Sequence, residues 1–242
     1  AQIALMKDAG RITGEALLVA RDMVRPGIST YEIDQAIRRY IEKCGAKPAF
    51  LGYGGFPGSA CVSVNNEVIH GIPSQRELKD GDIVKIDVGA FYKGFHSDCA
   101  ATFAVRNVSA EAAKLISVTE QSFYRGIEQA LPGNRLGDIS AAVQQYVEAN
   151  GFSVVRDYVG HGIGRDLHED PSVPNFGRAG RGVRLMSGMT LAIEPMVNVG
   201  GYGVKVLSDE WTVVTKDGSL SAHYENSIVL TENGPVILTA LS

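Results

Sequence analysis

A loose internal repeat is the feature that most constrains the fold of this chain. In the first half, Asp87 lies six residues after the glycine of the segment Leu78-x-x-Gly81. In the second half, Glu194 follows six residues after the glycine of Leu185-x-x-Gly188. A His-Gly-Ile triplet precedes these acids in both halves, at residues 70–72 and 161–163. The repeat predicts two similar units that face each other, each contributing a carboxylate beside a shared axis.

The spacing of apolar residues predicts two helices and then strands in each half. Helical spacing predicts four helices, at 3–24, at about 29–45, at 110–131 and at 136–149. Ser29 or Thr30 is the predicted cap of the second helix, which ends near Gly45. Strand spacing gives segments at 61–64, 83–88 and 95–105, with strands again after residue 152. We therefore expect an α+β fold in one catalytic domain, residues 1–242, with halves of about 1–107 and 108–242.

Composition excludes several other classes of protein. Hydrophobic residues make up 45% of the chain and charged residues 21%, which supports a folded core. The formal net charge of −4 argues against specific DNA binding. No apolar run reaches the ~18 residues of a membrane helix, and no secretory signal is visible. Three scattered cysteines favour a reducing cytoplasm over a disulfide framework.

Acidic residues lie within otherwise apolar strand sequences. Asp87 and Asp98 occupy consecutive predicted strands, with residues 92–94 as the turn, so a hairpin can bring the two carboxylates together. Glu194 precedes a proline that keeps it extended, and Glu225 begins another apolar strand. Each acid alone could lie at an exposed strand end or in a salt bridge. Together, four buried carboxylates repel one another and need cations, for which divalent metals are the simplest source.

His161 is the best histidine candidate for a metal ligand. Glycines flank it on both sides and leave room for a close approach, and a second histidine, His168, follows seven positions later. A lone histidine is more often a structural residue, but this one coincides with the repeat. Four carboxylates and one imidazole suit a pair of Mn, Fe, Co or Zn ions.

Other catalytic and binding motifs are incomplete. His168-Glu169 begins like a zinc-protease motif, but Ser172 occupies the position of its second histidine. Neither a dinucleotide fingerprint, a phosphate-binding loop nor a Cys-x-x-Cys pair is present. Arg178, Arg181 and Arg184 form a small basic run among glycines, which predicts a solvated loop or a contact with ribosomal RNA.

The order of the five candidate ligands, Asp, Asp, His, Glu and Glu, resembles that of the methionine aminopeptidases of the pita-bread fold. The resemblance covers essentially the whole chain. It rests on six motifs, namely VIHGIP (68–73), KIDVG (85–89), GFHSD (94–98), GHGIG (160–164), IEP (193–195) and HYEN (223–226). Ser97, Cys99 and Leu167 depart from the residues expected at those positions in the family.

The resemblance implies a fold of two pseudo-symmetric halves, with a central antiparallel sheet backed by helices. It also implies two divalent metal ions, with Asp98 and Glu225 bridging them. Asp87 would complete the coordination of one ion, and His161 and Glu194 that of the other. His70, His168 and Glu194 are expected to act in catalysis. Six residues are expected to line the methionine pocket, namely Tyr53, Phe56, Cys61, His70, His168 and Trp211.

The implied activity is hydrolytic removal of the initiator methionine from nascent polypeptides, with a preference for a small second residue. The absence of large insertions resembles the type I, short bacterial form. We expect a cytoplasmic monomer that contacts the ribosome transiently and does not enter a membrane. Three alternatives remain at this point: an Xaa-Pro peptidase or creatinase-like hydrolase, a binding protein of the same fold without metals, and a structural acidic core.

Overall fold

The computed structural model describes residues 2–240, and its helices and strands follow the predicted order. The helices are α1 (Gln2–Met23), α2 (Thr30–Lys43), α3 (Ala110–Ile127) and α4 (Leu136–Ala149). The strands are β1 (Lys47–Pro48), β2 (Ala60–Val64), β3 (Glu67–Ile69), β4 (Ile83–Tyr92), β5 (Phe95–Ala104), β6 (Ser153–Val154), β7 (Gly160–Gly162), β8 (Glu169–Val173), β9 (Thr190–Ile193), β10 (Met196–Asn198), β11 (Val204–Val206), β12 (Val213–Thr215), β13 (Ser221–His223), β14 (Glu225–Thr231) and β15 (Gly234–Ile237).

A curved sheet of nine strands forms the centre of the molecule. Its strand order is β1-β4-β5-β14-β9-β7-β8, with β2 added beside β4 and β15 beside β14. Every pairing is antiparallel. The pairing of β5 with β14 joins strands from the two halves of the chain, so long-range pairing creates the middle of the sheet. Two smaller sheets, β13-β10-β6 and β11-β12-β3, lie beside it.

The helices cover the strands in two pairs. Apolar side chains of α1 and α2 pack on β2, β4 and β5, where Ile12, Ile33 and Ile86 are fully buried. Apolar side chains of α3 and α4 pack mainly on strands from the second half of the chain, as Phe123 and Ile139 do against β9 and β14. This arrangement agrees with the predicted helix-backed antiparallel sheet, while the division near residue 107 stays a prediction.

Local sequence signals define most of the helix ends. The predicted cap lies at Ser29: its hydroxyl accepts from the Glu32 N–H, and the Glu32 carboxylate accepts from the Ser29 N–H, which together form a capping box. The predicted end of α3 at residue 131 is wrong, because the helix ends at Ile127. Beyond it, Gln129 and Ala130 donate to carbonyls three residues back, and these bonds tighten the chain into a turn.

The β4–β5 hairpin turns through Lys93 and Gly94, which both have positive φ angles (48° and 86°). Two such residues form the tight turn that suits the twist of a hairpin. Tyr92 therefore pairs with Phe95, and this fixes the register of both strands down to Ile83 and Ala104.

None of the helices within residues 2–240 is long and apolar enough to span a membrane.

The glycines on either side of His161 allow the strands around it to approach closely. A Cβ atom on Gly160 would lie 2.3 Å from the carbonyl oxygen of Ala192. A Cβ atom on Gly162 would lie 2.3 Å from the carbonyl oxygen of Asp170. Both contacts are with backbone, which cannot move aside without shifting a strand. The sequence-based interpretation of these glycines as space for a close approach is confirmed.

We therefore expect Gly160→Ala to destabilise the fold by about 1–3 kcal/mol, the usual effect of overpacking. Gly201→Ala is the matched control, because a Cβ atom there would meet only an Asp217 oxygen at 3.7 Å. The control should change the free energy of unfolding by less than about 0.5 kcal/mol. Urea denaturation of the metal-free proteins measures both. Equal stability of the two variants would contradict the proposed backbone clash.

Candidate metal centre and its cavity

Residues from both halves of the chain line one cavity of about 150 Å³ beside the central sheet. A dry cavity of similar size holds a molecule such as benzene. The structure brings together all five predicted metal ligands and all six predicted pocket residues. They are Asp87, Asp98, His161, Glu194, Glu225, Tyr53, Phe56, Cys61, His70, His168 and Trp211, joined by Leu167.

The β4–β5 hairpin places the two aspartates on the same face of the sheet. Asp98 pairs with Gly89, and Asp87 pairs with Ala100, so the carboxylates are diagonal neighbours rather than directly opposite each other. A Cβ atom on Gly89 would lie 2.6 Å from the Phe50 ring, so the glycine lets that ring pack beside Asp98. The register of the hairpin therefore sets the separation of the two acids.

Strands from the second half add the remaining candidate ligands. Glu225 on β14 also pairs with Ala100, from the other side of β5, so Ala100 lies between Asp87 and Glu225 in one row across three strands. His161 on β7 pairs with Ala192 on β9, and Glu194 follows the end of β9. The imidazole Nε2 of His161 lies 3.6 Å from Glu194 Oε1.

Burial without cationic partners raises the pKa values of all four carboxyl groups. Desolvation raises the pKa of Asp87 to about 7 and that of Glu225 to about 8. It raises the pKa of Asp98 and Glu194 well above the usual range, and the nearby Glu225 carboxylate adds to the effect in both. The acids thus stand in an environment that lacks positive charge.

These oxygen atoms have the features of ligands for a cation. One carboxylate oxygen each of Asp87, Asp98 and Glu225 is buried without a hydrogen-bond partner among the described residues. The candidate ligand atoms form two groups, and within each group all the atoms lie within 4.8 Å of one another. One group comprises Asp98, His161 and Glu225, and the other comprises Asp87, His223 and Glu225. Glu225 belongs to both groups. The donor set therefore fits divalent metal ions, with Glu225 between two positions.

Three histidines face the cavity as neutral rings. Burial lowers the pKa of His70 and of His161 to about 4, and it also lowers the pKa of His168. The ring of His168 lies 4.2 Å from that of His161, and its Nδ1 lies 2.8 Å from the Tyr53 hydroxyl oxygen. With Tyr53 donating to Nδ1, the neutral His168 ring carries its proton on Nε2.

The apolar wall of the cavity comes from the first half of the chain and from Leu167 and Trp211. Phe56 and Trp211 meet edge to face, with ring centroids 5.1 Å apart. Cys61 on β2 pairs with Asp87 on β4, which places the pocket wall directly beside the carboxylates. Burial raises the pKa of the Cys61 thiol well above its usual value, so the group is an uncharged, apolar surface.

Sequence reasoning did not select three residues at this site. Phe50 and Leu167 also line the cavity. His223 lies next to the acids with 1% of its surface exposed. The signal for His223 was present, because residues two apart on an extended chain point to the same face, and His223 precedes the candidate ligand Glu225 by two.

Comparisons with known proteins agree with this geometry. A model of metallopeptidase family M24 matches residues 4–232. The methionine aminopeptidase of Clostridium perfringens is 63% identical over 240 residues, which are 99% of this chain and 96% of the relative. Methionine aminopeptidase 1 of Bacillus subtilis is 54% identical, over 98% of this chain and 96% of the relative.

Solved structures confirm the predicted pita-bread fold. The crystal structure of methionine aminopeptidase from Thermotoga maritima superimposes with a TM-score of 0.97 at 48% identity, covering 98% of this chain and 96% of that one. Prolidase from Pyrococcus furiosus has a TM-score of 0.80 at 22% identity, and this chain covers 64% of it, which shows a shared fold alone. The chain therefore belongs to metallopeptidase family M24, and within that family to the methionine aminopeptidases.

Proposed function

We propose that Asp87, Asp98, His161, Glu194 and Glu225 hold two divalent ions, of Co, Mn, Fe or Zn, at which the initiator methionine is removed. One observation carries this proposal: buried carboxylate oxygens without partners converge beside a neutral imidazole at the base of an apolar cavity. Bound there, divalent ions would neutralise the acids, polarise a scissile carbonyl and lower the pKa of water towards neutrality.

Glu194 is the proposed proton acceptor. Its Oε1 atom lies 3.6 Å from the Nε2 atom of His161, and its carboxylate lines the cavity that the substrate would enter. It would take a proton from the attacking water and deliver it to the amine that leaves when the peptide bond breaks.

His168 and His70 would bind the reacting peptide group. The Nε2–H of His168 can donate to the oxygen that becomes negative during attack, and the Tyr53 hydroxyl fixes that tautomer. His70 lies on the opposite wall, with its ring edge-on to Tyr158 at 5.8 Å and to Trp211 at 6.4 Å. We assign it a hydrogen bond to the scissile amide or to the residue after methionine.

The methionine side chain would occupy the apolar part of the cavity. Phe56, Cys61 and Trp211 offer a wall that suits a flexible thioether, and Tyr53 and His168 stand at its mouth. The free α-amine of the substrate would then lie beside the carboxylates. A small second residue fits this arrangement, since the histidines crowd the peptide just beyond the methionine.

We also propose that the enzyme acts in the cytoplasm as a monomer on nascent chains. Three arginines are exposed on the loop that packs against the start of α4, where the carbonyls of Arg178 and Arg181 approach Gly137. Side chains of this kind can contact RNA phosphates, so this loop is the proposed site of a transient ribosome contact.

The first test measures the release of free methionine from a Met-Ala-Ser peptide, with Leu-Ala-Ser as the substrate control. Metal-free enzyme is compared with enzyme to which Mn, Co or Fe has been added. We expect metal-dependent cleavage of the methionine peptide only. Asp98→Asn should reduce kcat/KM by more than about 100-fold, because even groups that only support metal ligands are worth about 10–100-fold.

Asp166→Asn is the matched control for that variant, since Asp166 is exposed and lies on the segment between His161 and His168. It should retain nearly the full rate. Cleavage of an Xaa-Pro peptide in place of Met-Ala-Ser would favour the prolidase-like alternative, and metal-independent cleavage would contradict the proposed ligands.

Tyr53→Phe tests the role of the tyrosine hydroxyl in fixing the His168 tautomer. The ring remains, so KM for the methionine peptide should change little, whereas kcat should fall about five- to tenfold, the rate equivalent of one net hydrogen bond. Tyr202→Phe removes the same hydroxyl from another half-exposed tyrosine and should have no effect. A change confined to KM would assign Tyr53 to binding alone.

The raised carboxyl pKa values predict how the stability of metal-free enzyme depends on pH. Folding takes up protons at groups whose pKa rises from 3.8 to about 7 (Asp87) and from 4.5 to about 8 (Glu225). Their contribution is therefore greatest below about pH 4 and is lost as the pH rises to about 8. Metal-free Asp87→Asn should show a smaller fall in Tm over this range than metal-free wild type. Parallel Tm profiles would contradict the raised pKa.

A further inference from the structure

His223 is a buried histidine that the proposed mechanism leaves unused. Its side chain lies at the end of β13 with 1% of its surface exposed, among the most enclosed polar groups near the site. Neither ring nitrogen has a hydrogen-bond partner among the described residues. Leaving a buried donor or acceptor unpaired is destabilising, so a ring in this position is expected to serve some interaction.

The ring points towards the candidate metal ligands. Its Nε2 lies 3.4 Å from Glu225 Oε2 and 3.9 Å from Glu194 Oε2. All five proposed ligands line the cavity, whereas His223 is not among its lining residues in the part of the chain that the structure describes. The imidazole therefore lies behind the carboxylates, on the side away from the substrate.

The backbone around His223 holds the ring in this place. The Thr102 hydroxyl accepts from the His223 N–H at 2.9 Å and donates to the His223 carbonyl at 2.8 Å. His223 also pairs with Met196 across β13 and β10, just after the Glu194-Pro195 segment. These bonds fix the backbone of His223 and therefore the point from which its ring extends towards Glu225.

We propose that His223 is a positioning residue that donates its Nε2–H to the Glu225 carboxylate and so orients the ligand shared by the two ions. Carboxylates that bind metals are themselves usually hydrogen-bonded, and such partners set ligand orientation. A short movement of the Glu225 side chain would bring the 3.4 Å separation to the 2.7–2.9 Å of a charge-assisted bond. The inference rests on the proposed ligation by Glu225.

The experiment is a titration of EDTA-stripped full-length enzyme with Co²⁺, followed by calorimetry and by the visible absorption of the bound ion. His223→Leu and His223→Phe remove the donor while filling the space, and His223→Gln keeps an N–H donor. Thr119→Val is the control for the loss of a buried polar group, because the Thr119 hydroxyl is buried in α3 and donates to the Leu115 carbonyl of the same helix. Circular dichroism identifies which apolar variant is folded.

We expect the folded apolar variant to bind Co²⁺ about 10–100-fold more weakly than wild type, with a shifted absorption band. His223→Gln should return the affinity to within about threefold of wild type, because the donor is restored, and Thr119→Val should match wild type. Wild-type affinity and an unchanged band in the apolar variant would overturn the proposal and leave His223 as core filling.

Two other outcomes would separate the remaining explanations. In the first, His223→Gln binds Co²⁺ as weakly as the apolar variant does, and both bind one Co²⁺ fewer than wild type. This result would overturn the positioning role and make the imidazole a direct metal ligand. Wild-type enzyme that binds no Co²⁺ would contradict the proposed metal site itself, which is a different failure from unchanged binding by the variants.

Discussion

The mutual repulsion of four buried carboxylates is the constraint on which the rest of this structure depends. Asp87, Asp98, Glu194 and Glu225 come from four separate strand segments, and each is buried where its charged form is disfavoured. An apolar core would exclude such a group, and a salt bridge to lysine or arginine would neutralise it. Within residues 2–240, no lysine or arginine forms a salt bridge with these four acids, so the fold is organised around a place for cations.

Strand pairing between the two halves keeps these acids together. The β5–β14 pairing places Glu225 on the same row as Asp87, with Ala100 between them, and small residues at the close contacts let the strands approach. The glycines beside His161 act in the same way against the carbonyls of Ala192 and Asp170. Rigid strands, rather than loops, thus set the positions of the acids, which suits ligands that must meet a defined geometry.

The surroundings of the acids divide into two kinds of support. On the substrate side, neutral histidines and an apolar wall face the cavity, so hydrogen bonding and hydrophobic contact are available without added charge. On the opposite side, His223 approaches the Glu225 carboxylate from the protein interior. Contacts to the substrate and support of the ligands are thereby separated in space, with the carboxylates as the boundary between them.

The sequence by itself determined the helix order, the hairpin and the five candidate ligands, because alternation, capping and turn residues act over a few positions. It also indicated the family, since the motifs that carry the resemblance are local. Only the tertiary structure decided that Asp87 and Asp98 are diagonal neighbours, that α3 ends at Ile127, and that His223 lies behind Glu225. These features depend on strand register and on contacts between distant segments, and a single sequence does not encode such pairings in its local pattern.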